Sequence, residues 1–204
     1  MKQLPKLFLL VMATLSVPAT SECAVLSSSS PSGDYSNLIC PNLNIVAGNS
    51  YLQGSDLSFS DFSNSSIVAG ISAFQGTTFE GANLSNSILG GGMSAFQLSI
   101  FDSANLSGAT LFGGESAFQY WKINSTNFAG SDLSGVPAWA LSSSFFDPIL
   151  GPYSEDTPPM FSSTTQFPSG FNPTNAGWTL VPEASSMMLV VAGLLSLLTK
   201  RRRH

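Results

Sequence analysis

Large apolar residues in the middle of this chain recur every five positions and then, after a slightly longer gap, start again. Residues 50–71, 72–93, 94–115 and 116–137 align end to end as four units of 22 residues, and the tetrapeptide SAFQ opens the last three. Unit positions 3, 8, 13 and 18 are apolar without exception: Leu52, Leu57, Phe62 and Ile67; Phe74, Phe79, Leu84 and Leu89; Phe96, Phe101, Leu106 and Leu111; Phe118, Ile123, Phe128 and Leu133. A small residue stands two places before fifteen of these sixteen, Trp121 being the exception.

A beat of five matches neither the helical period of about 3.6 residues nor the alternation of about two in a strand. It fits a short extended side followed by a tight turn, four sides closing a square coil with one large and one small side chain pointing inward from each. A coil of this kind buries its apolar side only against its neighbours, so the units must stack, at the strand spacing of about 4.8 Å. Four sides of five leave two residues over in each 22-residue unit, and these fall at Ala69-Gly70, Gly90-Gly91-Gly92 and Gly113-Gly114. Glycine tolerates positive φ and close backbone approach, which predicts a small bulge at one corner of every coil. The glutamines Gln53, Gln75, Gln97 and Gln119 then align as an amide ladder on the outside.

The stretches Ala82-Asn83-Leu84-Ser85, Ala104-Asn105-Leu106-Ser107 and Ser131-Asp132-Leu133-Ser134 resemble the pentapeptide-repeat family. The resemblance covers residues 50–135 and implies an all-β fold, a right-handed quadrilateral β-helix of about four to five 22-residue coils. Upstream two registers remain open: one turns Tyr35, Cys40 and Ile45 inward, and the other is set by Asn37-Leu38 and Asn42-Leu43. After Pro137 the beat stops; eight of the twelve prolines lie from Pro137 to Pro182, together with Trp139, Phe145, Phe146, Tyr153, Phe161, Phe167, Phe171 and Trp178. Proline ends ladder pairing and aromatic rings seek cover. Residues 138–150 are therefore expected to cap the last coil, with residues 151–180 as a partly ordered spacer.

The ends read as addresses. Residues 1–21 carry two lysines, the apolar run Leu7 to Val17 and the small-residue pattern Ala19-Thr20-Ser21, as a secretory signal peptide does. Cleavage near Ser21, or one or two residues later, decides whether Cys23 stays on the chain; lipid attachment at Cys23 is disfavoured by Glu22, where a small residue is needed. At the other end, the apolar stretch Met187 to Leu198 runs into Lys200, Arg201, Arg202 and Arg203, which keeps the tail cytoplasmic. With Val181, Pro182 and Glu183 ahead of it, this segment resembles the PEP-CTERM sorting signal, although Ala184 stands where that family has a second proline. The resemblance implies an exosortase-type processing enzyme as partner, transient anchoring in the membrane by the C-terminal segment, and a link to extracellular polysaccharide. The expected order is a signal peptide (1–21), an N-terminal cap or partial coil (22–49), the β-helix (50–137), an aromatic and proline-rich cap and spacer (138–180) and the sorting signal with a hydrophobic helix (181–204).

Charge and chemistry narrow the function further. From Glu22 to Val181 eleven acidic residues face the single cation Lys122, so nucleic-acid binding is not expected. The only histidine is His204, which removes Ser-His-Asp catalysis and histidine-rich zinc sites from the body. Asp56 and Asp61 lie five residues apart, on adjacent sides rather than facing each other, and Asn and Asp at such places form turns. No cofactor and no enzymatic activity are expected. Tyr120, Trp121 and Trp139 are the candidate ligand platform, a set of rings suited to stacking sugars. Cys23 and Cys40 pair only if Cys23 survives processing; a lone buried Cys40 is the other reading. The expected function is that of an exported bacterial surface or matrix interaction protein. The alternative, drawn from the same family resemblance, is a DNA mimic that binds a topoisomerase.

Overall fold

The computed structural model describes Leu26, residues 32–143 and residues 157–182. The expected signal peptide, Cys23, Glu183, Arg201, Arg202, Arg203 and the C-terminal apolar segment lie outside the described residues.

The chain winds as a right-handed quadrilateral β-helix of about six turns. One side of each coil is a short strand: β1 (Asn44–Ala47), β2 (Ser66–Ala69), β3 (Ile88–Gly91), β4 (Thr110–Gly113) and β5 (Asp132–Gly135). These five form one parallel sheet in chain order, and each advances a full unit on the last, as in Asn44↔Ser66, Ser66↔Ile88 and Ile88↔Thr110. The remaining sides meet through single-residue bridges, including Asp56↔Thr78, Thr78↔Ile100, Asp61↔Asn83 and Asn83↔Asn105. The five-residue beat has a direct cause. In a typical side the Ala82 N–H bonds the Phe79 carbonyl at 3.1 Å while Gly81, the third residue of that turn, sits at φ +63°. One positive φ at the third place is the signature of a type II turn, and it recurs at Asn86, Leu98, Ser103 and Gly108.

The inward columns build the core. All sixteen apolar beat positions are buried, none more than 2% exposed. Phe74, Phe96 and Phe118 stack with ring centroids 5.3 and 5.2 Å apart and planes within 7° of parallel, and Phe79 stacks on Phe101 at 4.8 Å. Each such pair contributes about 0.5–1.5 kcal/mol beyond its burial. The small inward residues are as specific as the large ones. Thr77, Ser99, Ser87 and Thr126 donate their buried hydroxyls to the carbonyls of Leu52, Phe74, Phe62 and Phe101 at 2.7–2.8 Å. An unpaired hydroxyl in that place would cost about 1–3 kcal/mol.

The corner with the two extra residues differs from expectation. No separate bulge forms on every coil, because the residues lengthen one side into the strands of the sheet, and the register shifts only between β4 and β5. The left-handed residues there are Ser72 and Ser94, at φ 55° and 58°, rather than the glycines. The small residue pointing inward on the SAFQ side is consequently its alanine, with Ala73, Ala95 and Ala117 fully buried. The glycines are needed for close approach: a Cβ on Gly91 would lie 2.4 Å from the Ala95 Cβ, and one on Gly113 would lie 2.3 Å from the Ala117 Cβ.

Both ends of the stack are longer than the repeat alone shows. Upstream, Asp34↔Asp56, Ile39↔Asp61 and β1 against β2 complete a coil, so the inward register of Cys40 and Ile45 is the one adopted and Tyr35 packs against the core. Downstream, α1 (Ala138–Ser143) starts directly after Pro137 and buries Ala140 and Leu141. Residues 157–182, in the region read as spacer, lie back on the last coil through Asn127↔Met160 and Asp132↔Gln166. There β6 (Met160–Phe161) pairs in parallel with β7 (Thr179–Leu180). Trp178 stacks on Phe128 at 5.2 Å, with Phe167 and Phe171 edge-on to it at 5.5 Å. The open end of an aromatic column draws such a cover, because solenoid ends expose apolar surface unless capped. These two additions account for the larger number of turns. No helix among the described residues is long and apolar enough to cross a membrane.

Candidate interaction surfaces

Three features of the coil stack bear on contact with a partner. The first is a pair of amide ladders. Gln53 donates to Gln75, Gln75 to Gln97 and Gln97 to Gln119, at 2.6–2.7 Å. On another side Asn127 donates to Asn105, Asn105 to Asn83 and Asn83 to the carboxylate of Asp61, at 3.0–3.3 Å. The two ladders run in opposite directions along the axis. An ionised carboxylate only accepts, so Asp61 sets the direction of the asparagine series.

The Asn and Asp side chains also close their own corners. Asp34, Asp56, Asp61 and Asp132 each accept the backbone N–H two residues on, at 2.9–3.0 Å. The Ser36 backbone N–H, aided by the Ser36 side chain, holds the exposed Asp34 carboxyl below its ordinary range. These acids are turn acceptors on separate corners, and no cluster of metal-ligating side chains occurs among the described residues.

The second feature is the aromatic set singled out from sequence. Trp121 is buried, 1% exposed, with its indole edge-on to Phe101 at 5.6 Å and tilted against Phe118 at 5.0 Å. Its Nε1–H donates to the Ala140 carbonyl of α1 at 3.3 Å. Trp121 occupies the place that Thr77 and Ser99 hold in earlier coils, so the hydroxyl column ends there and the ring seats the capping helix. Its faces are closed to a ligand. Tyr120, at φ 56°, and Trp139 on α1 are exposed, but the ring expected to join them points the other way. Of the sorting-signal residues, Val181 and Pro182 are described: the Val181 N–H bonds the Phe161 carbonyl at 2.7 Å, and Pro182 is exposed.

The third feature was not read from the sequence. Strand alternation turns Val46, Val68 and Phe112 outward in one column of the sheet, with Ile88 beside it and Ile71 and Met93 along its margin. All six are exposed, Val46 most at 71%. The Phe112 ring lies over Gly90, where a Cβ would come within 2.4 Å of it. The strip is about 15 Å long, three strand spacings. None of the six carries charge, and Asn44, Ser66 and Thr110 supply polar groups next to them. The sequence signal was the apolar residue one place after the position-18 residue, as at Val68 and Phe112, with Val46 in the matching place of the first coil.

No family profile matches the sequence, and no curated protein matches it at a significant level. Among solved structures, similarity is found to a pentapeptide repeat protein of the Arabidopsis thaliana thylakoid lumen. Identity is 24%, over 56% of this chain and 71% of that one, with a TM-score of 0.31. A pentapeptide repeat protein from Nostoc Pcc 7120 shows 19% identity over 72% of this chain and 84% of its own, with a TM-score of 0.18. One from Cyanothece 51142 shows 18% identity over 67% and 82%, also with a TM-score of 0.18. The architecture stands on the chain's own hydrogen-bond ladders.

Proposed function

We propose that the chain is an exported bacterial protein that works without catalysis, as a rigid interaction module of the cell surface or extracellular matrix in contact with polysaccharide. The observation that carries this reading is the apolar, uncharged strip on the outer face of the sheet, set on a body whose charge is otherwise almost wholly acidic. Exposed contiguous apolar surface on a monomer marks a contact site. Sugar rings offer C–H faces to side chains such as Val68 and Phe112 and hydroxyls to the neighbouring Ser66 and Thr110. The acidic body repels polyphosphates and anionic lipid. Removal of the leader and recognition of the C-terminal segment by an exosortase-type enzyme complete the proposal.

The test is fractionation of the producing cell followed by co-sedimentation of the purified protein with its matrix polysaccharide. Retention of the native protein, and its loss in a Val68→Ser/Phe112→Ser variant with unchanged melting, supports the reading. Cytoplasmic location with both ends intact, or equal retention of the variant, refutes it.

A further inference from the structure

Cys40 lies at the N-terminal end of the inward column that continues through Phe62, Leu84, Leu106 and Phe128, and it is fully buried. Its sulfur is disulfide-bonded. The chain has two cysteines, and the other is Cys23. Three residues beyond Cys23, Leu26 is buried in the same core cluster as Cys40 and Ile45. Among the described residues the first coil is paired on one side only, and an end coil needs a cover.

From this we infer that Cys23 is the N-terminal staple of the folded body, and that processing of the leader cuts on its N-terminal side. This rests on the export reading above. A cysteine sulfur forms either one disulfide or one thioether, so a Cys23 held by Cys40 is not a lipid attachment site. A cross-link likewise keeps only what the mature chain retains, which excludes a cut after Cys23. The bond forms when the two thiols release two protons and two electrons to an oxidised protein dithiol of the receiving compartment, which leaves that dithiol reduced. The staple ties the chain ahead of Leu26 to the first coil, which lies at the other end of the stack from α1 and Trp178.

The experiment is intact-mass and peptide mass spectrometry of the protein recovered from its exported fraction, alkylated before and after reduction. The expected result is a mature N-terminus at or before Cys23, no alkylation until reduction, two alkylated thiols after it, and a linked peptide pair joining Cys23 to Cys40. A Cys23→Ser variant should be exported with Cys40 free to alkylate and should melt roughly 5–10 °C lower, the loss expected for opening a short disulfide loop in a domain of this size. A Cys23→Ser/Cys40→Ala double variant should melt no lower than the worse single variant, since both remove the same bond. A mature chain that begins after Cys23, an acyl group on Cys23, or a Cys40 that alkylates without reduction overturns the inference. Should the chain stay in the cytosol with its leader, the export reading fails by itself. The staple is then tested by exposing that purified full-length chain to a glutathione redox pair. Closure of Cys23 onto Cys40 upholds it, and two persistent thiols overturn it.

Discussion

Replacing Phe96 by alanine probes the physical basis of the stack. Phe96 is the middle ring of the column, 5.3 Å from Phe74 and 5.2 Å from Phe118, with Phe79 and Phe101 tilted against it at 6.4 and 6.3 Å. Nothing of it reaches solvent. Truncation removes the ring from four aromatic neighbours at once and leaves a cavity that ladders on every side hold open, so the cost belongs near the usual range for buried phenylalanine, about 3–5 kcal/mol. With a urea slope of about 2 kcal/mol/M the unfolding midpoint should fall by roughly 1.5–2.5 M. The comparison is Phe59→Ala, which removes a ring that is 62% exposed and should cost under about 1 kcal/mol. Urea titration followed by far-ultraviolet circular dichroism reads both. Equal midpoints for the two variants would refute the claim that the ring column carries the coil's stability.

Glycines separate three physical effects that the sequence shows as one letter. Gly48→Ala, with open space around the new Cβ and no positive φ, should stabilise by about 0.4–1 kcal/mol through the unfolded chain. Gly76→Ala, at φ +68° and equally open, should cost about 1–2 kcal/mol. Gly113→Ala, which drives a Cβ to 2.3 Å from the Ala117 Cβ, should cost about 1–3 kcal/mol by overpacking. Thermal melting of the three gives the signs, and a stabilising Gly113→Ala would contradict the packing described. The carboxyl of Asp34 should titrate below the ordinary aspartate range because Ser36 hydrogen-bonds its charged form. Its contribution to the first coil is then complete above the ordinary aspartate range and is lost as pH falls through the lowered value. A carbon-13 NMR titration of that side chain checks this, and a value at or above the ordinary range would contradict it.

The coil was legible because nothing but the beat decides which side chains enter its core. A position such as Leu84 has no helix or second sheet to turn toward, so a period of five means one direction throughout. The serine of SAFQ misled, since a small residue reads the same whether it points inward or occupies a left-handed turn as Ser72 does. Trp121 broke the pattern visibly, yet only its contact with Ala140 shows that the break serves the cap. The return of Met160 and Gln166 was hidden because an excursion separates them from the repeat, and their partners Asn127 and Asp132 lie at separations that no fixed period gives. The apolar strip through Val46, Val68 and Phe112 needed the sheet register to become a surface, because these residues are neighbours only across coils.

The central claim is that the coil of 22 residues is the physical unit of the molecule, and removing one coil tests it most directly. Deleting residues 94–115 joins Met93 to Ser116 and offers β5 to β3 in the register β4 now uses. The shortened chain should keep the circular dichroism of the parent and one cooperative melting transition, while a deletion two residues shorter should lose both because every later side chain turns out of step. Cooperative melting of the two deletions at the same temperature would contradict the account.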